Sequence, residues 1–140
     1  MPTISKVFVD TNVFVAIRDT RDSTHHQAVR LATKLNELKV KLVTSSDVLG
    51  ETLTVLSKKL GKDVCRDWYK DFQQNGPSEI FIDKFLHKET RDFFQRVKSK
   101  NISFIDCSSA VAMKRHKIKA IFSFDQDFKK LGVKLATNVF

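Results

Sequence analysis

Val7-Phe8-Val9-Asp10-Thr11-Asn12 sets the reading of this chain: a short apolar run that ends abruptly on an acid. An apolar run of this length between helical stretches reads as a buried parallel strand. The pattern recurs. Glu51 comes shortly after Lys41-Leu42-Val43, Asp106 follows Ser103-Phe104-Ile105, and Asp125 follows Ile121-Phe122-Ser123-Phe124. The carboxyl ends of parallel strands share one edge of a sheet, and ligands bind at that edge where the strand order reverses. Four carboxylates gathered there repel one another, and a hard divalent cation or partial protonation relieves the repulsion. The pattern points to a metal site, and a metal site open to water points to hydrolysis.

The rest of the chain alternates in the same way. Residues 4–9 read as the first strand, and Asp10-Thr11-Asn12 opens a helix through about Arg18. A polar connection at 20–24 leads to a helix over about 23–38, with Ala28, Leu31, Leu35 and Leu38 inward. Strand 40–44 is followed by the helix-start signal Ser45-Ser46-Asp47 and a helix that ends or breaks at Gly61. A helix over 63–74 stops at Asn75-Gly76-Pro77, and 79–82 is a short strand. Residues 85–100 read as a helix with Phe93, Phe94 and Val97 inward, and 101–105 as a short extended lead into Asp106. A helix to about His116, a strand over 120–124, a short helix over 125–131 and a last strand over 133–135 complete the chain. The alternation predicts an α/β fold, a mostly parallel central sheet with helices on both faces. No repeat or linker is seen, so residues 1–140 are expected to form one domain.

Bulk properties narrow the function. The apolar fraction of 41% is ordinary for a soluble domain, and no apolar stretch is long enough for a membrane span. The N-terminus lacks the apolar segment of a secretory signal, and Cys65 and Cys107 form no disulfide framework. A reducing, cytoplasmic setting is the expectation. A net charge of +9 favours a polyanionic partner, most simply nucleic acid. From Lys98 to Lys119 the chain carries six Lys and Arg against the single acid Asp106.

Each acid alone has an ordinary explanation. Asp10 and Asp106 both read as helix N-caps as well as metal ligands. Thr11 and Asn12 either hold the Asp10 carboxylate or cap the same helix. Glu51 lies about one turn into its helix, between Val48 and Val55. Asp125 and Asp127 face one ion if their turn is tight; otherwise Asp125 binds and Asp127 caps. The four acids at equivalent positions carry the specificity. His25, His26, His87 and His116 lack metal-ligand spacing, no phosphate-binding Gly-rich loop or serine-hydrolase elbow is present, and most of the 12 Phe read as core packing.

Val-Phe-Val-Asp-Thr-Asn-Val-Phe, His25 and Ala28, and Thr-Ser-Ser-Asp-Val-Leu-Gly-Glu-Thr resemble the opening half of PIN-domain ribonucleases. Ser-Phe-Ile-Asp-Cys-Ser-Ser-Ala and Ala-Ile-Phe-Ser-Phe-Asp-Gln-Asp-Phe resemble the closing half. The likeness covers nearly the whole chain, apart from about 60–94, and is greatest to the VapC-type toxins of toxin–antitoxin modules. It implies a PIN-like three-layer sandwich. It implies that Asp10, Glu51, Asp106 and Asp125 are the catalytic, metal-binding quartet, with Asp127 at a more variable ligand position. Thr11, Asn12 and Ser123 match the polar residues that support the acids.

The implied activity is hydrolysis of RNA phosphodiester bonds with Mg²⁺ or Mn²⁺. Water as nucleophile leaves a 5′-phosphate and a 3′-hydroxyl. Lys114, Arg115 and Lys117 are candidates for holding flanking phosphates. A cognate antitoxin and a homodimer are the implied partners, with no membrane involved. Competing readings are an RNA-maturation nuclease without an antitoxin, a catalytically silent nucleic-acid- or protein-binding module, and a phosphatase with Asp10 as nucleophile. The last wants an acid two residues on, where the chain has Asn12.

Overall fold

A computed structural model describes residues 4–140. Its centre is β1 (Lys6–Val9), in which Val7, Phe8 and Val9 are buried. A strand covered on both faces has no polar side to alternate with, which is why its sequence is continuously apolar. It pairs in parallel with β2 (Lys41–Ser45) on one side and β4 (Ala120–Phe122) on the other. β3 (Ser78–Ile80) joins β2, and β5 (Lys134–Leu135) joins β4, so the five parallel strands run in the order β3-β2-β1-β4-β5.

The chain first winds outward from β1 to β3, then crosses back and winds the other way. Right-handed crossovers therefore place α1 (Thr11–Arg18), α2 (His25–Glu37), α3 (Ser46–Leu60) and α4 (Lys62–Asn75) on one face. They place α5 (Lys84–Arg96) and α6 (Phe104–Arg115) on the opposite face. The packing follows: α1 meets α2 and α3, α3 meets α4, and α5 meets α6. Phe14 of α1 stacks edge-on against Trp68 of α4 at 5.4 Å, tying the outer helix to the core. The strand order reverses between β1 and β4, and the crevice at their carboxyl ends is where the acids converge.

Local chemistry sets the helix ends. The Ser45 hydroxyl accepts from the Val48 N–H and starts α3. Gly61, at φ 95°, ends α3 and begins α4 in a left-handed turn that a side chain would resist. Ser103 and Asp106 form a reciprocal capping box that starts α6.

Several expectations need correction. Ser103-Phe104-Ile105 is no strand or extended lead: Phe104 and Ile105 already lie in the first turn of α6, because the capping box closes around them. α5 ends at Arg96 and not near Lys100, since Val97 turns extended with its N–H shared between the Phe93 and Phe94 carbonyls. On α5 it is Leu86 and Thr90 that are buried; Phe94 is exposed and lies beside Phe104 at 5.7 Å. Leu38 lies just past the end of α2 and is exposed. Only Phe8, Phe14, Phe122 and Phe128 are buried among the Phe, while Phe81 and Phe85 stand well out. Gln126–Leu131 is a 3₁₀-helix, and the sequence reading lacked the closing helix α7 (Ala136–Val139). Among the described residues no helix is long and apolar enough to cross a membrane.

Candidate active site

Asp10 ends β1 and caps α1. Its backbone N–H donates to the Phe122 carbonyl, which locks it to the end of β4. Its carboxylate is buried and accepts three hydrogen bonds. The Thr11 N–H reaches Oδ1 at 2.9 Å; the Ser123 hydroxyl and the Asn12 amide reach Oδ2 at 2.8 and 3.4 Å. Ser123 also accepts from the Asn12 amide and the Asp125 N–H, both at 3.1 Å. Asn12 closes the lattice by accepting from the Phe124 N–H at 3.2 Å. Asn12 and Ser123 thus bind the turn after β1 to the turn after β4, and together with Thr11 they act on Asp10.

Asp10, Glu51, Asp106 and Asp125 line one pocket of about 460 Å³ at this edge. Glu51 reaches it from α3, Asp106 from the first turn of α6, and Asp125 from the turn after β4. Asp47, in the first turn of α3, accepts from the Ser108 hydroxyl at 2.7 Å, which holds the starts of α3 and α6 together. Burial raises the Asp10 pKa from 3.8 to about 7, against the lowering effect of the Ser123 and Thr11 hydrogen bonds; the Asp106 and Glu51 charges push the same way as burial. The Asp106 pKa is also raised, first by burial, then by the charges of Asp125 and Glu51.

Asp127 stands apart. Its carboxylate pairs with Lys130 at 3.0 Å, and its N–H donates to Asp125 Oδ1, so its backbone rather than its carboxylate serves the site. Lys114, Arg115 and Lys117 also lie elsewhere, at the far end of α6 from Asp106. Arg115 is paired with Glu89.

The structure adds three polar wall residues that sequence reasoning passed over: Asp22, Thr24 and Lys59. Lys59 bridges Asp19 at 3.3 Å and Asp22 at 3.6 Å, fastening α3 to the α1–α2 turn. The Asp22 pKa is lowered chiefly by hydrogen bonds from the Thr24 N–H and hydroxyl, with a smaller contribution from Lys59. Glu51, Val55 and Lys59 recur every four residues and all line the pocket. That stripe was the available signal.

Among the described residues, no three His, Cys, Asp or Glu side chains converge closely enough to hold one ion as they stand. The caps explain this: Asp106 Oδ2 is held by the Ser103 N–H and Asp125 Oδ1 by the Asp127 N–H. Each keeps its second oxygen free of those bonds. The donors are all oxygen, they repel one another, and they line one pocket. That set fits a hard cation of the Mg²⁺ or Mn²⁺ type.

Comparison with known proteins follows the same lines. A family model for the PIN domain matches residues 7–134. The 23S rRNA-specific endonuclease VapC20 of Mycobacterium tuberculosis is 26% identical over 126 residues, covering 90% of this chain and 94% of that protein. The crystal structure of VapC20, described as a Sarcin-Ricin loop cleaving toxin, aligns with a TM-score of 0.83 at 25% identity, over 91% of this chain and 95% of that one. VapBC2 of Rickettsia felis, solved bound to a DNA fragment from its promoter, shares the fold at a TM-score of 0.63 and 18% identity, over 93% and 96% of the two chains.

Proposed function

The chain belongs to the PIN-domain family, and on that premise we propose that it is a metal-dependent endoribonuclease acting in the cytoplasm as the toxin of a toxin–antitoxin pair. The observation that carries the reading is the pocket itself: Asp10, Glu51, Asp106 and Asp125 share it, and burial, with a smaller push from the neighbouring acids, raises the pKa values of Asp10 and Asp106. Groups that disfavour one another's charge at neutral pH make a stable arrangement once a cation lies among them. The likeness to VapC20 over nine-tenths of the chain supports RNA as the substrate and an antitoxin as the partner.

Asp10, Asp106 and Asp125 would hold the cation, with Glu51 binding directly or through water. When bound, the cation supplies an acidified water and neutralises charge on the scissile phosphate and the leaving oxygen. The protein's own contribution is placement. Ser123, Thr11 and Asn12 fix the Asp10 carboxylate by three hydrogen bonds, so its oxygens need little reorganisation when the ion arrives. The Asp47–Ser108 bond ties α3, which carries Glu51, to α6, which carries Asp106. Lys59 shares the pocket wall but pairs with Asp19 and Asp22 and with none of the four acids.

The test is cleavage of a mixed RNA pool that includes large-subunit ribosomal RNA, wild type beside Asp10→Asn, in Mg²⁺, Mn²⁺ or EDTA. Metal-dependent cutting that is lost in the variant, with 5′-phosphate and 3′-hydroxyl ends, is the expected result. Full activity in the variant would overturn the assignment.

A further inference from the structure

Lys114 and Lys117, far from the acids, line a groove of about 680 Å³, larger than the acidic pocket. Arg96 from the end of α5, Lys119 just before β4 and Lys134 at the start of β5 join them, and Glu89 is the one acid on the wall. Glu89 is already engaged by Arg115, and none of the five cations has an ion-pair partner among the described residues. Cations at the ends of α5 and α6 have an ordinary role in offsetting the helix dipoles. Lys119, just before β4, and Lys134, at the start of β5, stand at strand entries and have no such role. The groove floor is apolar, with Phe93, Met113 and Ile118.

Its position is opposed to the catalytic edge. Lys119 and Lys134 stand at the amino ends of their strands, whereas Asp10 and Asp125 lie past the carboxyl ends. The eight residues from Asp106 to Lys114 along α6 span about 12 Å. The six from Lys119 to Asp125 span about 20 Å if extended. A folded RNA held at the acids reaches this far.

We propose that this groove is a second RNA-binding site, which grips the phosphate backbone of the substrate away from the cleavage point. It rests on the reading of RNA as substrate. The occupant follows from charge: five unpaired cations over an apolar floor suit a strand that offers phosphates together with sugar and base faces. A second copy of this chain is disfavoured, because a two-fold contact here would bring both sets of cations together.

Lys117 gives a clean probe. It adopts φ 57°, a left-handed turn in which the Ile118 N–H returns to the Met113 carbonyl, and glycine suits that turn better. The double variant Lys114→Gln, Lys117→Gly therefore removes two charges without straining the fold. A control, Lys34→Gln with Lys62→Gln, removes two charges from the opposite face. Binding of a labelled RNA hairpin is measured by anisotropy on the Asp10→Asn background in EDTA, with urea midpoints to verify folding. The groove variant should lose about tenfold in affinity at moderate salt, and its salt slope should fall by about two; the control should change by less than about twofold. Equal losses in both, or none in the groove variant, would overturn the proposal. So would polyglutamate binding that the groove variant loses while RNA binding stays intact, or a salt-resistant dimer that the variant dissolves. Binding is read without cleavage, so a failure of the nuclease reading registers separately, in the RNA-pool assay.

Discussion

Replacing Asp10 with Asn should stabilise the metal-free protein at pH 8 and destabilise it at pH 4. The Asp10 pKa is about 7 in the fold against 3.8 for a free aspartate carboxyl. A raised carboxyl pKa means that the folded state binds the proton more tightly. Its contribution to stability is fully present below the unfolded value and is lost as pH climbs through the folded one. About three pH units at 1.36 kcal/mol each put the loss near 4 kcal/mol at pH 8. Asn avoids that loss but leaves one hydrogen bond unsatisfied. Ser123 needs an acceptor at Oδ2 because its own oxygen already receives the Asn12 and Asp125 N–H groups. The mismatch costs about 1–2 kcal/mol at every pH. The variant should therefore gain about 2–3 kcal/mol at pH 8 and lose about 1–2 kcal/mol at pH 4. Urea unfolding of both proteins from pH 4 to 8, with EDTA and a shared m-value, reads the difference directly. Adding Mg²⁺ at pH 8 should restore stability to the wild type alone. A stability difference that stays flat across the range would refute the reasoning, because it would leave Asp10 with no coupling between burial and charge.

Three further outcomes are expected. Asp106→Asn and Asp125→Asn should each lower RNA cleavage at least about a hundredfold, whereas Asp127→Asn should cost less than about tenfold, since its carboxylate is turned to Lys130; single-turnover rates at saturating Mg²⁺ decide this. Ser109→Ala should raise stability by about 1 kcal/mol, because the Ser109 hydroxyl is fully buried with no hydrogen-bond partner; an unchanged or lower urea midpoint would count against it. Lys59→Met should cost about 1 kcal/mol by leaving the buried Asp19 carboxylate without its cation, an effect kept small by the exposure of Lys59; the loss should shrink in high salt, and thermal melts across a salt series check it.

What the sequence disclosed depended on how local the cause was. β1 and β4 are central strands whose burial on both faces dictates unbroken apolar runs, so Val7-Phe8-Val9 and Ala120-Ile121-Phe122 announced themselves. Asp10 was legible for the same reason, as an acid placed where such a run stops. Asp106 was picked for a partly wrong reason. The apolar pair before it is helical, and the residue reaches the edge through the capping box of α6 instead of the end of a strand. The pairing of Lys59 was hidden because its partners Asp19 and Asp22 lie some forty residues earlier; only its spacing from Glu51 and Val55 along α3 hinted at the pocket wall. The separation of Lys114 and Lys117 from the acids was hidden as well. Sequence places them eight and eleven residues after Asp106, but a helix carries that spacing to the opposite side of the molecule.

The lacing of Asn12 and Ser123 has a consequence for the order of synthesis. These residues are 111 positions apart, and the Ser123–Asp10 bond spans 113. β1 is made first, yet one of its two neighbours in the sheet, β4, is among the last elements to leave the ribosome. A chain interrupted before Ala120 carries Asp10, Glu51 and Asp106 but lacks the strand that holds Asp10 in place, and also lacks Asp125. On the nuclease reading, fragments that stop before Ala120 are expected to be inert, so that activity would arise only after β4 and Asp125 have emerged.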